Sequence, residues 1–297
     1  MKIEDVKTIV VVGAGAMGRQ IAMNTVLNGR QYGYKVVNCD SFENAVKAAE
    51  SWAKEYLDGR VAKNRITAEE RAQIDERLSF TADVDAAAKD ADIVIEAIIE
   101  NLDAKRELFG RLSKVCKEDT VFATNSSNLV SSKIASAVTN PERLLNLHYF
   151  NPALVMQLVE IVRGPHTGES TIELVREFAV RTGKAPIIIN KEIAGFVANR
   201  INAAVTREAC SLLEKGVASV EDIDTACEKG LGYPMGPFKL MDLTGLDVNY
   251  YVRRDRYAES GDPNDMPSFS VVDKVIKGEY GRKTGKGWYD YSTGDKK

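Results

Sequence analysis

The chain has 297 residues, 44% hydrophobic and 28% charged, with a net charge of −3 and four cysteines. That balance belongs to a globular protein with room for one large domain or two ordinary ones. It excludes a whole-chain electrostatic footprint for nucleic acid, and an anionic substrate needs local cations rather than a global field. Cys39, Cys116, Cys210 and Cys227 are scattered, with no CxxC and no histidine at ligand spacing, so reduced thiols and no metal site are expected. The start, MKIEDVKTIVVV, places acids before its apolar run, and the longest apolar stretch stops at Arg19. Neither a secretory leader nor a membrane span is expected, and the cytoplasm is the expected location.

Apolar runs at 7–12, 35–39, 92–98, 120–124, 143–148, 157–162 and 185–190 read as strands. Several are continuous rather than alternating, the pattern of strands buried on both faces. Helical patterns fill 17–29, 42–57, 67–77, 102–115, 131–137 and 168–182, and TAEE at 67–70 is a capping box. Strands alternating with helices predict a mostly parallel sheet covered on both sides. Beyond about residue 190 the strand-like runs stop. Residues 195–215, 219–229 and 245–258 read as helices, with GYPMGPF at 232–238 as a Gly/Pro-rich connection. The expected organisation is an α/β, Rossmann-like doubly wound domain over 1–190 and an all-α domain over 191–297.

TIVVVGAGAMG sets Gly13, Gly15 and Gly18 in GxGxxG spacing, with Ala16 and Met17 between the last two. The first glycine permits a tight turn, the second lets backbone approach a pyrophosphate, and the third lets helix pack on strand. N–H groups and the dipole at the helix start hold phosphate charge. The motif follows a strand and opens a helix, which is the context it requires. The next strand ends in Asp40, a carboxylate placed to accept both ribose hydroxyls of an adenosine and to repel a 2′-phosphate, so NAD is favoured over NADP. The segment LNGRQYGYK, with Arg30 and Gln31, lengthens the connection beyond what such a unit needs.

Ligands on these sheets lie beyond the carboxyl ends of the strands. There VFATNSSNL delivers Asn125, Ser126 and Ser127, VIEAIIEN delivers Glu100 and Asn101, and LLNLHYFNP delivers His148. In MQLVEIV, Glu160 interrupts an apolar strand, and burying it unpaired costs several kcal/mol. Hydrogen-bonded to an imidazole it fixes the tautomer and supports an imidazolium. Asn151–Pro152 offers a turn between the two runs, so the two residues are expected side by side as a base and its orienter. Beside a nicotinamide such a base takes a hydroxyl proton, and a serine and an amide hold the oxygen. His166, among turn residues, reads as a surface group.

These stretches, with IEAIIENLDAKRELFGRL, LHYFNPALVMQLVEIVRG, AGFVANRI, EDIDTACEKGLGYPMGPFKLMDLTGLD and GRKTGKGWYDY, resemble the L-3-hydroxyacyl-CoA dehydrogenase family, most of all its 3-hydroxybutyryl-CoA members. The resemblance covers essentially the whole chain. It implies an NAD domain followed by a helical domain that dimerises, an acyl-CoA substrate, and reversible oxidation of a 3-hydroxyacyl-CoA. By motif, His148 resembles the catalytic base, Glu160 its partner, Ser127 the serine at the substrate's 3-oxygen, and Asn199 the asparagine reaching the same oxygen. Glu100, Asn101 and Lys105 match the cofactor-contacting stretch, and Asn125 stands beside it in ATNSSNL. Lys63, with Arg60 in the same DGRVAKNR segment, matches a lysine near CoA. Asn128 stands where the family usually has a serine, a change that bears on substrate preference. The rival readings are a dehydrogenase of a free hydroxy or sugar acid, and a non-catalytic NAD-binding protein.

Overall fold

In the computed structural model, which describes residues 1–292, the first apolar run is strand β1 (Thr8–Val12), an inner strand of an eight-stranded sheet. The others are β2 (Lys35–Cys39), β3 (Leu78–Thr81), β4 (Ile93–Glu96), β5 (Val121–Thr124), β6 (Leu144–Tyr149), β7 (Leu158–Val162) and β8 (Ala185–Ile189). They lie in the order β3-β2-β1-β4-β5-β6-β7-β8. Every neighbouring pair is parallel except β6 and β7, which run antiparallel.

Continuous apolar runs are explained by where alternate residues go. Ile9 and Val11 of β1 pack into one cluster with Ile21 and Phe178, while Val10 and Val12 pack into another with Leu108 and Phe109. Each face of the strand therefore meets helices, which a parallel sheet requires. The helices are α1 (Ala16–Asn28), α2 (Glu43–Ala62), α3 (Ala68–Asp75), α4 (Val84–Ala88), α5 (Leu102–Val115), α6 (Ser132–Ala135) and α7 (Glu169–Arg181). Thr67 and Glu70 form the expected capping box at α3.

The sequence predicts no strand at 78–81, yet β3 is there. It is a four-residue edge strand, LSFT, with no fully buried side chain. A half-polar edge carries little of the apolar signal by which inner strands announce themselves. Arg30–Tyr32, in the long connection, form one 3-10 turn, and Arg30 pairs with Glu70 at 2.8 Å.

The first compact unit ends at Phe196 and the second begins at Val197. The second unit is helical: α8 (Ala198–Glu214), α9 (Val220–Thr225) continued by a π turn over Ala226–Gly230, α10 (Pro237–Thr244), α11 (Leu246–Ser260) and α12 (Phe269–Ile276). Helices α10 and α12 go beyond the sequence reading. The GYPMGPF connection is shorter than it reads, because Pro237 takes the first turn of α10, where its missing N–H costs nothing. Asp224, fully buried, accepts the next two backbone N–H groups, from Phe238 at 2.9 Å and Lys239 at 3.1 Å. Asp242 does the same for the chain's last stretch, accepting from the N–H groups of Trp288 at 2.9 Å and Tyr289 at 3.0 Å and from the Tyr291 hydroxyl at 3.0 Å. Burial pushes its carboxyl above the usual range, and those donors pull the other way. These backbone contacts explain why the chain keeps a buried acid at Asp224 and at Asp242.

Among the described residues, no helix is long and apolar enough to cross a membrane.

Candidate active site

Apart from Arg60 and Lys63 at the end of α2, Lys105 on α5 and Glu160 on β7, the candidate residues of the first unit lie at or just beyond the carboxyl ends of β1, β2, β4, β5 and β6. After β1 the chain turns at Gly13, whose φ of +107° is ground that suits glycine. A Cβ there would sit 2.4 Å from the Ala97 carbonyl oxygen, and one on Gly18 would sit 1.8 Å from that of Gly13. These two glycines close the turn against β4 and α1. Gly15 differs: a Cβ on it meets nothing within 4 Å. It is the N-cap of α1, so the ground beside it faces the unpaired N–H groups that Ala16 and Met17 begin.

Asp40 is pinned across this loop. Its Oδ2 accepts the Ala14 N–H at 2.8 Å and its Oδ1 that of Phe42 at 3.0 Å. The buried Asn38 amide donates to the carbonyls of Val11 at 3.0 Å and Gly13 at 2.9 Å. Open ground at Gly15, a helix N-terminus and an adjacent carboxylate fit a dinucleotide's pyrophosphate and ribose. Asn38 is a support that the sequence reading missed; a lone asparagine in a strand carries no periodic signal. Gly15→Val is expected to fold normally, because its φ of −70° suits any residue, and to raise the KM for NAD about tenfold or more by filling that ground. Initial-rate kinetics against NAD, with a melting curve as control, checks this.

At the end of β4 the fold brings Lys105 against two carboxylates. Its ammonium is 1% exposed and lies 2.6 Å from Glu96 Oε1 and 3.4 Å from Glu100 Oε2. Glu96, missed in the sequence, also accepts the Ile98 N–H at 2.8 Å and the Thr124 hydroxyl at 2.6 Å. Lys105 is thus the buried post that holds Glu100, which in turn accepts a hydrogen bond from the Ser126 hydroxyl. Asn101 caps α5, its Oδ1 accepting the Ala104 N–H at 2.9 Å. Asn125 uses its Oδ1 to accept the Tyr149 N–H at 2.9 Å, tying the β5 loop to the strand that carries His148. The buried Asn146 grips the same loop, donating to the carbonyls of Ser126 at 3.2 Å and Leu129 at 3.0 Å. Ser127 stands half-buried within it.

His148 and Glu160 meet across the antiparallel β6–β7 pair, directly opposite in register. Imidazole Nδ1 lies 2.9 Å from Glu160 Oε2, with His148 6% exposed and Glu160 fully buried. With Glu160 ionised, its carboxylate can only accept, which places the proton on Nδ1 and leaves the lone pair on Nε2. Phe150 and Phe196 flank the ring, with centroids at 4.6 and 5.5 Å. They fix its plane by contact, and Phe196 was not among the sequence candidates.

Arg60 and Lys63 lie at the C-terminal end of α2; the Arg60 guanidinium donates to the Tyr56 hydroxyl at 3.3 Å, and Lys63 is exposed. Asn199 is in the first turn of α8, in the second unit. His166 is not the surface group its neighbours suggest. It is half-buried, and burial lowers its pKa against the opposing pull of Glu192. Among the described residues no group of histidine, cysteine or acidic side chains could hold a metal ion.

Residues 8–193 match the model of the 3-hydroxyacyl-CoA dehydrogenase NAD-binding domain, and residues 195–291 that of the same family's C-terminal domain. The chain belongs to the 3-hydroxyacyl-CoA dehydrogenase family. The human mitochondrial hydroxyacyl-coenzyme A dehydrogenase is 39% identical over 96% of this chain and 91% of its own length. A probable 3-hydroxybutyryl-CoA dehydrogenase of Bacillus subtilis is 35% identical over 97% of this chain and 98% of its own. Among solved structures, the (S)-3-hydroxybutyryl-CoA dehydrogenase of Ralstonia eutropha superposes with a TM-score of 0.89 at 34% identity, covering 97% of this chain and 99% of the other. Membership in the 3-hydroxyacyl-CoA dehydrogenase family makes the glycine loop, α1 and Asp40 parts of an NAD-binding domain.

Proposed function

We propose that the chain catalyses the reversible, NAD-linked oxidation of a short-chain (S)-3-hydroxyacyl-CoA, 3-hydroxybutyryl-CoA foremost, to the 3-oxoacyl-CoA. The observation that carries this reading is the buried His148–Glu160 pair, joined through Nδ1. A protein that only binds a dinucleotide has no use for a base held in one tautomer.

When bound, NAD supplies the acceptor for the hydride that leaves C3. His148 takes the 3-hydroxyl proton at Nε2 during oxidation and returns it to the oxygen during reduction. Glu160 keeps Nδ1 protonated and offsets the charge the ring then carries. The Ser127 hydroxyl holds the 3-oxygen. Glu100 and Asn125, fixed by Lys105 and Tyr149, order the nicotinamide end of the site. Arg60 and Lys63 hold CoA phosphates. The Bacillus and Ralstonia relatives, both named for 3-hydroxybutyryl-CoA, support the short chain.

We further infer a homodimer through the helical unit. There Ile201, Val248, Tyr251, Phe269 and Ile276 are each at least 48% exposed, an apolar surface that suits a second copy. The four cysteines carry free thiols, which suits the reducing cytoplasm.

The test is NADH consumption with acetoacetyl-CoA, run beside free acetoacetate. Turnover with the thioester alone is expected. Turnover with the free acid alone would move the substrate to a hydroxy acid, and binding of NADH without turnover on either would leave a binding protein.

A further inference from the structure

The helical unit holds a cavity of about 310 Å³ that the dehydrogenase reading does not use. Its walls follow from sequence spacing. On α8, Arg200, Ala203, Ala204 and Arg207 fall at positions i, i+3, i+4 and i+7, one face of a helix. On α11, Arg253 and Arg256 are one turn apart. The alanines between the arginines leave the hollow, and the loop after α11, through Asn264 and Asp265, closes it.

Four guanidinium groups thus line one small space, and their partners are few. Arg253 is 5% exposed and spends its donors on main-chain carbonyls: Ala203 at 2.5 Å, and Asn264 and Met266 each at 3.2 Å. Among the described residues Arg207 reaches only the Asn264 carbonyl, at 3.4 Å. Arg256 has one carboxylate, Asp265, at 3.8 Å. Arg200 has no side-chain partner among the described residues.

Two aspartates, Asp262 and Asp265, share the lining and offset part of that charge, and each also accepts from a neighbour. Asp262 accepts from the Asn264 backbone and side chain at 2.9 and 3.0 Å, and Asp265 accepts from the Ser260 hydroxyl at 2.9 Å. Burial, then the like charges of Arg207 and Arg256, hold the Arg253 guanidinium below the ordinary arginine range, while Cys210 and Asp265 pull the other way. Crowding like charges into a hollow is unfavourable unless an anion offsets them.

We propose that this cavity is a binding site for a small, multiply charged oxyanion. Arg253 is the fixed scaffold, and Arg200, Arg207 and Arg256 are the forks that grip the ligand. Planar guanidinium forks match the oxygen spacing of phosphate and carboxylate groups, and several together select multivalent anions over chloride. The site is independent of the dehydrogenase reading, because none of its residues is assigned to that chemistry.

Isothermal titration calorimetry on the whole protein tests it, using pyrophosphate, inorganic phosphate and citrate at an ionic strength fixed with sodium chloride. Saturable binding of pyrophosphate or citrate at one site per chain is expected, weakened tenfold or more in Arg207→Gln and in Arg200→Gln. A melting curve without anion checks that both variants fold. Tighter binding of pyrophosphate assigns the site to phosphates, and tighter binding of citrate assigns it to polycarboxylates. Absence of saturable heat, or equal affinity in the variants, overturns the proposal. Sedimentation adds one more outcome. If the titration is flat and Arg207→Gln lowers the oligomeric mass, the arginines meet an acidic surface of a second copy, and the small-anion site is wrong.

Discussion

His148→Gln is expected to lower turnover about 10²–10⁴-fold, the usual span for loss of a general base, with NAD affinity and the melting midpoint nearly unchanged. The reason lies in where the ring sits. His148 is held by Glu160 at Nδ1 and by two phenylalanine rings. Glutamine is close in length and its amide can hydrogen-bond to the same carboxylate, so Glu160 keeps a partner. What glutamine cannot do is accept a proton near neutral pH. Glu160→Gln is expected to act on the same step by a different route. An amide in place of the carboxylate no longer offsets charge on the ring, so turnover falls while the ring keeps its place. The pair acts as a unit, and the double variant is therefore expected to lose little more than His148→Gln alone. Steady-state rates with acetoacetyl-CoA and a dissociation constant for NADH by fluorescence separate the two effects. Turnover within a few-fold of the parent in His148→Gln would remove the base assignment.

Why that pair was legible, and other parts were not, follows from cost. A glutamate in LVEIV is an acid inside a strand whose neighbours are apolar, and a buried charge demands a partner. The antiparallel register of β6 and β7 then sets His148 directly across from it. The glycine loop was legible for a similar reason, since GxGxxG between a strand and a helix has one good use. Lys105 offered no such signal. In LDAKRELF it reads as one charge among several on an exposed helix, and only the fold brings Glu96 from the end of β4 against it. β3 escaped because an edge strand need not be apolar. The arginine cavity escaped because its arginines are far apart in sequence, on α8 and α11, and the crowding exists only once the helices pack.

The buried Lys105–Glu96 pair also makes the strongest stability prediction. Lys105→Met is expected to cost about 3–5 kcal/mol, because it leaves the Glu96 charge, fully buried, without its cation. The remaining donors, the Ile98 N–H and the Thr124 hydroxyl, do not replace a full charge at 2.6 Å. A loss of that size is a large share of a typical total of about 5–15 kcal/mol. Glu96→Gln is expected to cost less. Lys105 then still has Glu100 at 3.4 Å, and that carboxylate is partly in water, so the stranded charge keeps some compensation. The double variant Glu96→Gln/Lys105→Met removes both charges and keeps a neutral acceptor for the Ile98 N–H. It is expected to be more stable than Lys105→Met alone by about 2 kcal/mol or more, a coupling that only a direct contact produces. Urea denaturation of the parent, the two single variants and the double variant gives all four corners of the cycle. Additive losses would mean that the two charges do not pair. A parallel rise in the KM for NAD in Lys105→Met, without loss of the His148-dependent step, would place the same lysine as the support of Glu100.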